Sequence, residues 1–426
     1  MPVICWDIPL KSGSRVRRKS LITTNKPLRR ISANHAVFQD IVLDGHFVLA
    51  GRDRGAKSGS AGKVVSLFTG AGGLEIGLEA AGFETAAYVE IDQDCRKTIA
   101  RNRGWTFVDT GRGDIRSTKS VDILAAANAK PGEIAIVSGG APCQPFSNIG
   151  KRDGTQSEDG NLFQDFIRVV RDLRPQAFIF ENVSAIAGAK HAAVLETISS
   201  NAKRIGYGVA LRILNSADYG VPQRRRRLIA IGIRDAQASV GMPYPTNASD
   251  PAKLRQQYID ADLTPPASTK LWRTVRDAIG KLSARDFERD DCRLMTVSPL
   301  TLARMRHIRP GTRDNFKALP DKLLPDCWRS GRHQGADTFG RMLWDEPAVT
   351  IRTSGYHPMK GRYIHPDQDR GFNTVELMRL QAFPPGYRFE GGLISVGRQI
   401  GNAVPPPLAE AIGIAIRHQL EIPRGR

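Results

Sequence analysis

Val64-Val65-Ser66-Leu67-Phe68-Thr69-Gly70-Ala71-Gly72-Gly73-Leu74-Glu75-Ile76-Gly77-Leu78 passes from an apolar run of strand length, through a glycine-rich turn, into a helical apolar pattern. The helical pattern extends through Leu74, Ile76, Leu78 and Ala81 and stops at Gly82, in a C-cap position. A second apolar run, Ala86-Ala87-Tyr88-Val89, ends on Glu90. The rhythm repeats with Ile134-Ala135-Ile136-Val137 before Gly139-Gly140, and with Ala177-Phe178-Ile179-Phe180 before Glu181-Asn182. Leu228-Ile229-Ala230-Ile231 supplies one more strand. Strands alternating with helical stretches predict an α/β domain with a mainly parallel sheet and helices on both faces. Functional residues of such sheets gather at the carboxyl ends of the strands.

Outside this rhythm the texture changes. From Asp235 to Arg370, Pro, Arg, Asp and short apolar fragments mix with no sustained alternation; an amphipathic helix returns at Val375–Leu380 and another at Pro407–Leu420. The chain therefore divides into a basic arm and linker (1–62), a first domain (63–233), a smaller irregular domain (234–390) and a segment returning to the first (391–426). Between Lys11 and Arg30 the arm has eight basic residues and no acidic one, fitting either a solvated tail or a phosphate-binding extension. A hydrophobic content of 41% is ordinary for a folded protein, and no run of about 18 apolar residues spans a bilayer. The N-terminus lacks the order of a secretory signal. Five scattered cysteines with no C-x-x-C pair argue against a disulfide framework and a structural zinc site, and suit a reducing cytoplasm. A net charge of +19 points to a polyanionic partner, most often nucleic acid.

Four segments carry chemistry. The turn Gly70-Ala71-Gly72-Gly73 lets a ligand approach the backbone, and Glu90, twenty residues beyond Gly70, stands where an acid holds ribose hydroxyls. Asp114, after Gly113, adds a third element of an adenosine-type site, although Glu75 occupies the place of the third glycine of a dinucleotide fingerprint. In Gly140-Ala141-Pro142-Cys143-Gln144-Pro145-Phe146-Ser147 the prolines fix the backbone around a thiol, as a nucleophile demands; the other four cysteines read as inert. Glu181, directly after a buried strand, is either a carboxyl with raised pKa able to donate a proton or a helix N-terminal acid. In Gln223-Arg224-Arg225-Arg226-Arg227, extended backbone puts Arg225 and Arg227 on one face and Arg224 and Arg226 on the other, so one pair can point into the site beside Cys143 while the other meets solvent or a phosphate.

In this order, these segments resemble the successive motifs of the cytosine-C5 DNA methyltransferase family. Phe68-x-Gly70-x-Gly72-Gly73, Glu90, Asp114, Pro142-Cys143-Gln144, Glu181-Asn182-Val183 and Gln223-x-Arg225-x-Arg227 are followed by Arg379-Leu380-Gln381-x-Phe383-Pro384 and Gln399-Ile400-Gly401-Asn402-Ala403-Val404. The resemblance implies an S-adenosylmethionine-dependent, Rossmann-like methyltransferase fold with a smaller target-recognition domain. It implies a cofactor site of Phe68, Gly70, Gly72, Gly73, Leu74, Glu90, Ile91, Asp114, Ile115, Pro142, Asn402 and Ala403, with Glu90 on the ribose and Asp114 on the adenine amino group. Cys143 is the implied nucleophile, Glu181 the partner of the cytosine ring, and Arg225 and Arg227 orient base and loop; no metal is implied. Ser66 departs from the Asp frequent in the family ahead of Leu-Phe, and Ile91 replaces a common aromatic.

The implied reaction has a physical logic. Carbon 5 of cytosine is a poor nucleophile until a thiolate adds to carbon 6 while a protonated Glu181 steadies nitrogen 3; carbon 5 then takes the methyl group, and loss of its proton releases Cys143. The arginines would help ionise a thiol of ordinary pKa near 8.5. The target base must be flipped from its duplex at a cost of a few kcal/mol. Arg304-Met305-Arg306-His307-Ile308-Arg309 is either a base- or phosphate-contacting segment or an exposed helix face. The leading expectation is a bacterial, nucleoid-associated, monomeric enzyme acting on double-stranded DNA, paired with a restriction endonuclease or solitary. A tRNA methyltransferase, a non-catalytic DNA-binding protein and a nicotinamide-dependent oxidoreductase are the competing readings.

Overall fold

The apolar runs that set the rhythm are closed to solvent on both sides: Val64, Val65, Leu67, Ile134, Ile136, Val137, Phe178, Ile179 and Phe180 are buried, as central strands between two helical layers require. The computed structural model describes residues 46–48, 60–141, 162–184, 192–236, 240–260, 268–330 and 338–421. Its first part contains β1 (His46–Val48), β2 (Lys63–Leu67), α1 (Gly73–Ala80), β3 (Glu84–Val89), α2 (Gln93–Asn102), β4 (Thr106–Phe107), α3 (Ser120–Ala126), β5 (Ile134–Gly139), α4 (Leu162–Leu173), β6 (Ala177–Val183), α5 (Ala192–Arg204), β7 (Tyr207–Asn215), β8 (Arg226–Arg234) and β9 (Gly241–Pro243).

Seven strands form one sheet in the order β4-β3-β2-β5-β6-β8-β7. The first five run parallel, whereas β8 lies antiparallel between β6 and β7. The chain works outward from β2 to β4 on one side, then crosses to β5 on the other, so the order reverses between β2 and β5. The loops leaving these two strands diverge there and open a crevice. α4 has Phe163, Phe166, Ile167, Val170 and Leu173 at helical spacing, and its rings meet the sheet edge-on, Phe163 against Phe180 and Phe166 against Phe178. Each such side chain contributes about 1.5–3 kcal/mol when fully buried.

Two features differ from the sequence expectation. Leu228–Ile231 reads the same whether a strand is parallel or antiparallel, and its partner β7, whose apolar run is interrupted by Arg212, was not anticipated. Within the segment expected to be an arm, β1 pairs in parallel with β9.

The second half contributes α6 (Pro251–Asp260), α7 (Val275–Ile279), α8 (Ala284–Phe287), α9 (Pro299–Arg306), α10 (Asp326–Arg329), α11 (Thr374–Leu380), α12 (Leu393–Asn402) and α13 (Pro406–Glu421). Met305, Ile308, Phe316, Leu319, Trp328, Phe339 and Ile364 form a separate small core. Val275, Met342, Ile351, Val375, Met378 and Phe383, by contrast, share a cluster with Ala71 and Ile76 of the glycine-turn region. Packing thus joins Met342, Ile351, Val375, Met378 and Phe383 to the glycine-turn region. α13 completes the helical layer on the α1 side, with Leu408 and Ile412 packed alongside Leu78 and Val64.

Candidate functional site

The cofactor side is built where β2 ends. Phe68 (φ 54°), Gly70 (φ 57°) and Gly72 (φ 74°) all take left-handed backbone, folding the chain tightly enough to start α1 at Gly73. Phe68 bears a strain of about 1–3 kcal/mol for doing so without glycine's freedom. The N–H of Gly70 donates to Glu90 Oε2 at 2.6 Å, and the N–H of Asp92 donates to Oε1 at 2.8 Å. Both carboxylate oxygens are therefore oriented by backbone at the mouth of the turn. Burial pushes the Glu90 pKa up, and the two N–H donors oppose the shift. A side chain placed on Gly70 would meet nothing within 4 Å, so the turn's backbone faces open space.

Around this cradle, Gly73, Leu74 and Ile115 are buried and Ile91 is 61% exposed. Asp114 is held by Arg116 through contacts of 2.7 to 3.1 Å, and this hydrogen bonding lowers its pKa. Asn402 is exposed at the end of α12; the neighbouring Ala403 carbonyl accepts from Gln381 Nε2 at 2.6 Å, and the Tyr387 hydroxyl donates to the Ala71 carbonyl at 2.7 Å. Gly73 leaves no room for a side chain beside the Val404 carbonyl and Ala403, so the returning segment also closes against the glycine turn. An open glycine backbone beside a doubly oriented carboxylate fits a ribose-bearing cofactor.

The second side lies at the ends of β5 and β6. Glu181 Oε1 meets Arg227 Nε at 3.0 Å, with only 12% and 13% of the two side chains exposed. Burial raises the Glu181 pKa, against the pull of Arg227 and Arg225. Gly140 faces this carboxyl: a Cβ there would lie 2.7 Å from Glu181 Oε2. Asn182 Nδ2 donates to the Ala141 carbonyl at 3.2 Å, fixing the chain two residues before Cys143. Pro142 and Cys143 themselves lie outside the described residues. The last described residues of this segment, Gly140 and Ala141, lie against Glu181 and Asn182. Cys95, by contrast, is buried and its pKa is pushed well up by burial and by Glu90 and Asp92, a setting that keeps a thiol inert.

Arg225 and Arg227 both pull on Glu181 but take different hydrogen-bond partners. Arg227 joins Glu181, but Arg225 is fully buried and donates to the carbonyls of Ile351 at 2.9 Å, Gly401 at 2.7 Å and Asn402 at 3.3 Å. Burial and Arg227 bring its pKa down to about 9, which leaves it charged at neutral pH. Arg224 pairs with Glu346 at 2.9 Å. Arg224, Arg226 and Arg227 line an open cavity of about 320 Å³ with Ser184, Asn215 and Thr350. In the small domain, Arg304 turns inward to the Leu323 carbonyl while Arg306, His307 and Arg309 are exposed beside buried Met305 and Ile308.

Gln223 and Glu75, both noted in the sequence, had no role assigned there. Gln223 is fully buried and bridges Gln381 Oε1 at 2.5 Å and the Ile351 N–H at 2.9 Å. Glu75 accepts from Ser66 Oγ at 2.7 Å and Ser138 Oγ at 2.9 Å. The signal for Glu75 was present as two departures, Ser66 and Glu75, which turn out to contact one another.

The sequence profile of C-5 cytosine-specific DNA methylases matches residues 62–418. The chain belongs to this family. The methylase is 33% identical over 361 residues to the Type II methyltransferase M.Sau96I of Staphylococcus aureus, covering 84% of this chain and 76% of that one. To the Type II methyltransferase M.XorII of Xanthomonas oryzae it is 33% identical, covering 82% and 83%. Among solved structures, DNMT2 of Spodoptera frugiperda shares the fold at a TM-score of 0.54 and 14% identity, covering 83% of this methylase and 99% of that chain. A DNA modification methyltransferase encoded within an Escherichia coli prophage does so at 0.53 and 23%, covering 84% and 99%. The protein is thus a DNA cytosine-5-methyltransferase that uses S-adenosylmethionine as methyl donor. Among the described residues no helix is long and apolar enough to cross a membrane.

Proposed function

We propose that this methylase modifies cytosine within one specific double-stranded DNA sequence through a transient bond from Cys143 to a flipped-out base, and protects that DNA from a cognate restriction endonuclease. The observation that supports the site reading most is the Glu181–Arg227 pair beside Gly140, at the strand end that leads into Cys143. S-adenosylmethionine supplies an electrophilic methyl group when bound. Phe68, Gly70, Gly72 and the first turn of α1 would hold it, Glu90 would accept from its ribose, and Ile91, Asp114 and Ile115 would take the adenine side. Asn402 and Ala403 close the opposite wall. The Arg116 partner of Asp114 must be shared or displaced for that carboxylate to meet an amino group.

Cys143 sulfur bonds to carbon 6 of the ring as Glu181 hands its proton to nitrogen 3, so the electron pair arriving at the ring is held at carbon 5. Burial suits Glu181 to keep that proton near neutral pH, and Arg227 fixes the carboxyl and can reach the base oxygen. Carbon 5 uses that pair to bond the methyl group; loss of its proton to water then forms the carbon 5–carbon 6 double bond and expels the Cys143 thiolate, while nitrogen 3 returns its proton to Glu181 and the ring regains aromaticity. Arg225 acts from behind, holding β8 to residues 351 and 401–402. The exposed Arg306, His307 and Arg309 are candidates for DNA contact by the small domain. The enzyme is read as a cytoplasmic monomer. Incubation with labelled S-adenosylmethionine and either duplex DNA or tRNA, followed by nucleoside analysis, is expected to place label on carbon 5 of DNA cytosine. Label on an exocyclic nitrogen, or on tRNA alone, would overturn the reading.

A further inference from the structure

Ser66 on β2 and Ser138 on β5 are register partners across the point where the strand order reverses. Both are fully buried, and both hydroxyls donate to the same oxygen of Glu75, at 2.7 and 2.9 Å. Ser66 Oγ also lies 2.9 Å from Thr69 Oγ1, and Thr69 in turn donates to the Val89 carbonyl at 3.2 Å, one residue before Glu90. A continuous chain of contacts therefore runs from the strand leading to Cys143, through the first turn of α1, to the strand leading to Glu90. Glu75 is 1% exposed, and its second oxygen is buried without a hydrogen-bond partner. Leaving such an atom unpaired is costly, and hydrophobic packing alone would be served better by an apolar residue.

We propose that Glu75 is a positioning residue that couples the cofactor turn to β5, the strand whose end leads towards Cys143 in the sequence, so that the tie to β5 sets cofactor affinity at the turn. The proposal rests on the reading of the Gly70–Glu90 cradle as the cofactor site. It assigns a role to the two departures at Ser66 and Glu75: the carboxyl stands on the helix and gathers hydroxyls from two strands. Neither Glu75 nor Ser138 faces the open side of the turn, so neither touches the cofactor.

The test measures S-adenosylmethionine affinity by calorimetry on the full chain, with melting temperature alongside. Ser138→Ala removes the tie to β5 alone and is expected to weaken binding about tenfold, a usual size for coupling between sites. Glu75→Ala is expected to weaken it at least as much, and Ser138→Ala to have no further effect in that background. Glu75→Gln, which keeps an acceptor for both hydroxyls, is expected to restore affinity to within about threefold. Affinity in Ser138→Ala within about twofold of the parent, with only melting temperature lowered, would overturn the proposal, and this variant decides the matter even where Glu75→Ala does not fold. Glu90→Ala separates the underlying reading: unchanged binding there would remove the cofactor cradle itself, whereas lost binding there with unchanged affinity in Ser138→Ala would remove only the coupling.

Discussion

Arg225 and Arg227 stand two residues apart and face the same way in an extended chain, yet their surroundings predict opposite consequences for their loss. The Arg225 guanidinium is fully buried and donates to three backbone carbonyls from two distant segments. A hydrogen bond from a charged donor contributes about 1.5–3 kcal/mol, and a buried carbonyl left without its donor adds a desolvation cost. Taking the 3.3 Å contact as weak, Arg225→Ala should lower stability by about 3–5 kcal/mol. Arg227→Ala takes away the ion-pair partner of Glu181 and leaves only the weaker pull of Arg225, but that carboxyl already sits above its ordinary pKa and responds by taking up a proton. Neutralisation limits the stability loss to about 1–2 kcal/mol. Activity should nonetheless fall by about 10²–10³-fold, since a fixed donor at the reacting ring is gone. Urea denaturation and single-turnover methyl transfer on both variants make the comparison. Arg225→Ala within about 1 kcal/mol of the parent, or Arg227→Ala as the more destabilised of the two, would refute the division of labour.

Burial lifts Glu75 from 4.5 to about 7, so its contribution to stability is complete below 4.5 and is lost as pH rises through 7. At about 1.36 kcal/mol per unit, denaturation at pH 5 and pH 8.5 should show Glu75→Gln gaining about 2–3 kcal/mol on the parent at the higher pH; a gap independent of pH would contradict this. Gly140→Ala should displace the Glu181 carboxyl, whose Oε2 lies 2.7 Å from the added methyl position, and reduce turnover about 100-fold with little change in melting temperature. Because Glu181 must carry a proton and its pKa is raised, turnover should fall on the alkaline side, and Glu181→Gln should remove that limb of the profile along with most of the rate. Deleting residues 1–44, which hold eight basic side chains, should flatten the dependence of log DNA affinity on log salt by about 0.9 per phosphate released, and an unchanged slope would mark the arm as merely solvated.

What the sequence made legible follows from local physics. Apolar runs ending in glycine or acid placed β2, β3, β5 and β6 and put Gly70, Glu90, Gly140 and Glu181 at their carboxyl ends, where the crevice opens. The direction and order of strands were not legible: Leu228–Ile231 is apolar on both faces whichever way it runs, and only tertiary pairing inserts β8 between β6 and β7. The rule that alternate residues of an extended chain share a face holds for backbone direction but could not tell that Arg225 meets carbonyls 126 and 176 residues away. The packing of 340–383 against the glycine turn is equally long-range. Glu75 was visible as a misfit at a glycine position, and its meaning depended on Ser138, which carries no motif of its own.

The central claim is a covalent bond between one sulfur and carbon 6 of the target base. Duplex DNA bearing 5-fluorocytosine lacks the departing proton, so after methyl transfer the adduct cannot resolve and remains available for peptide mapping. A single crosslinked peptide carrying the base on Cys143, formed only with S-adenosylmethionine present, is the predicted result. An adduct on Cys5, Cys95, Cys292 or Cys327, or methylated product released with no adduct from the fluorinated duplex, would contradict it.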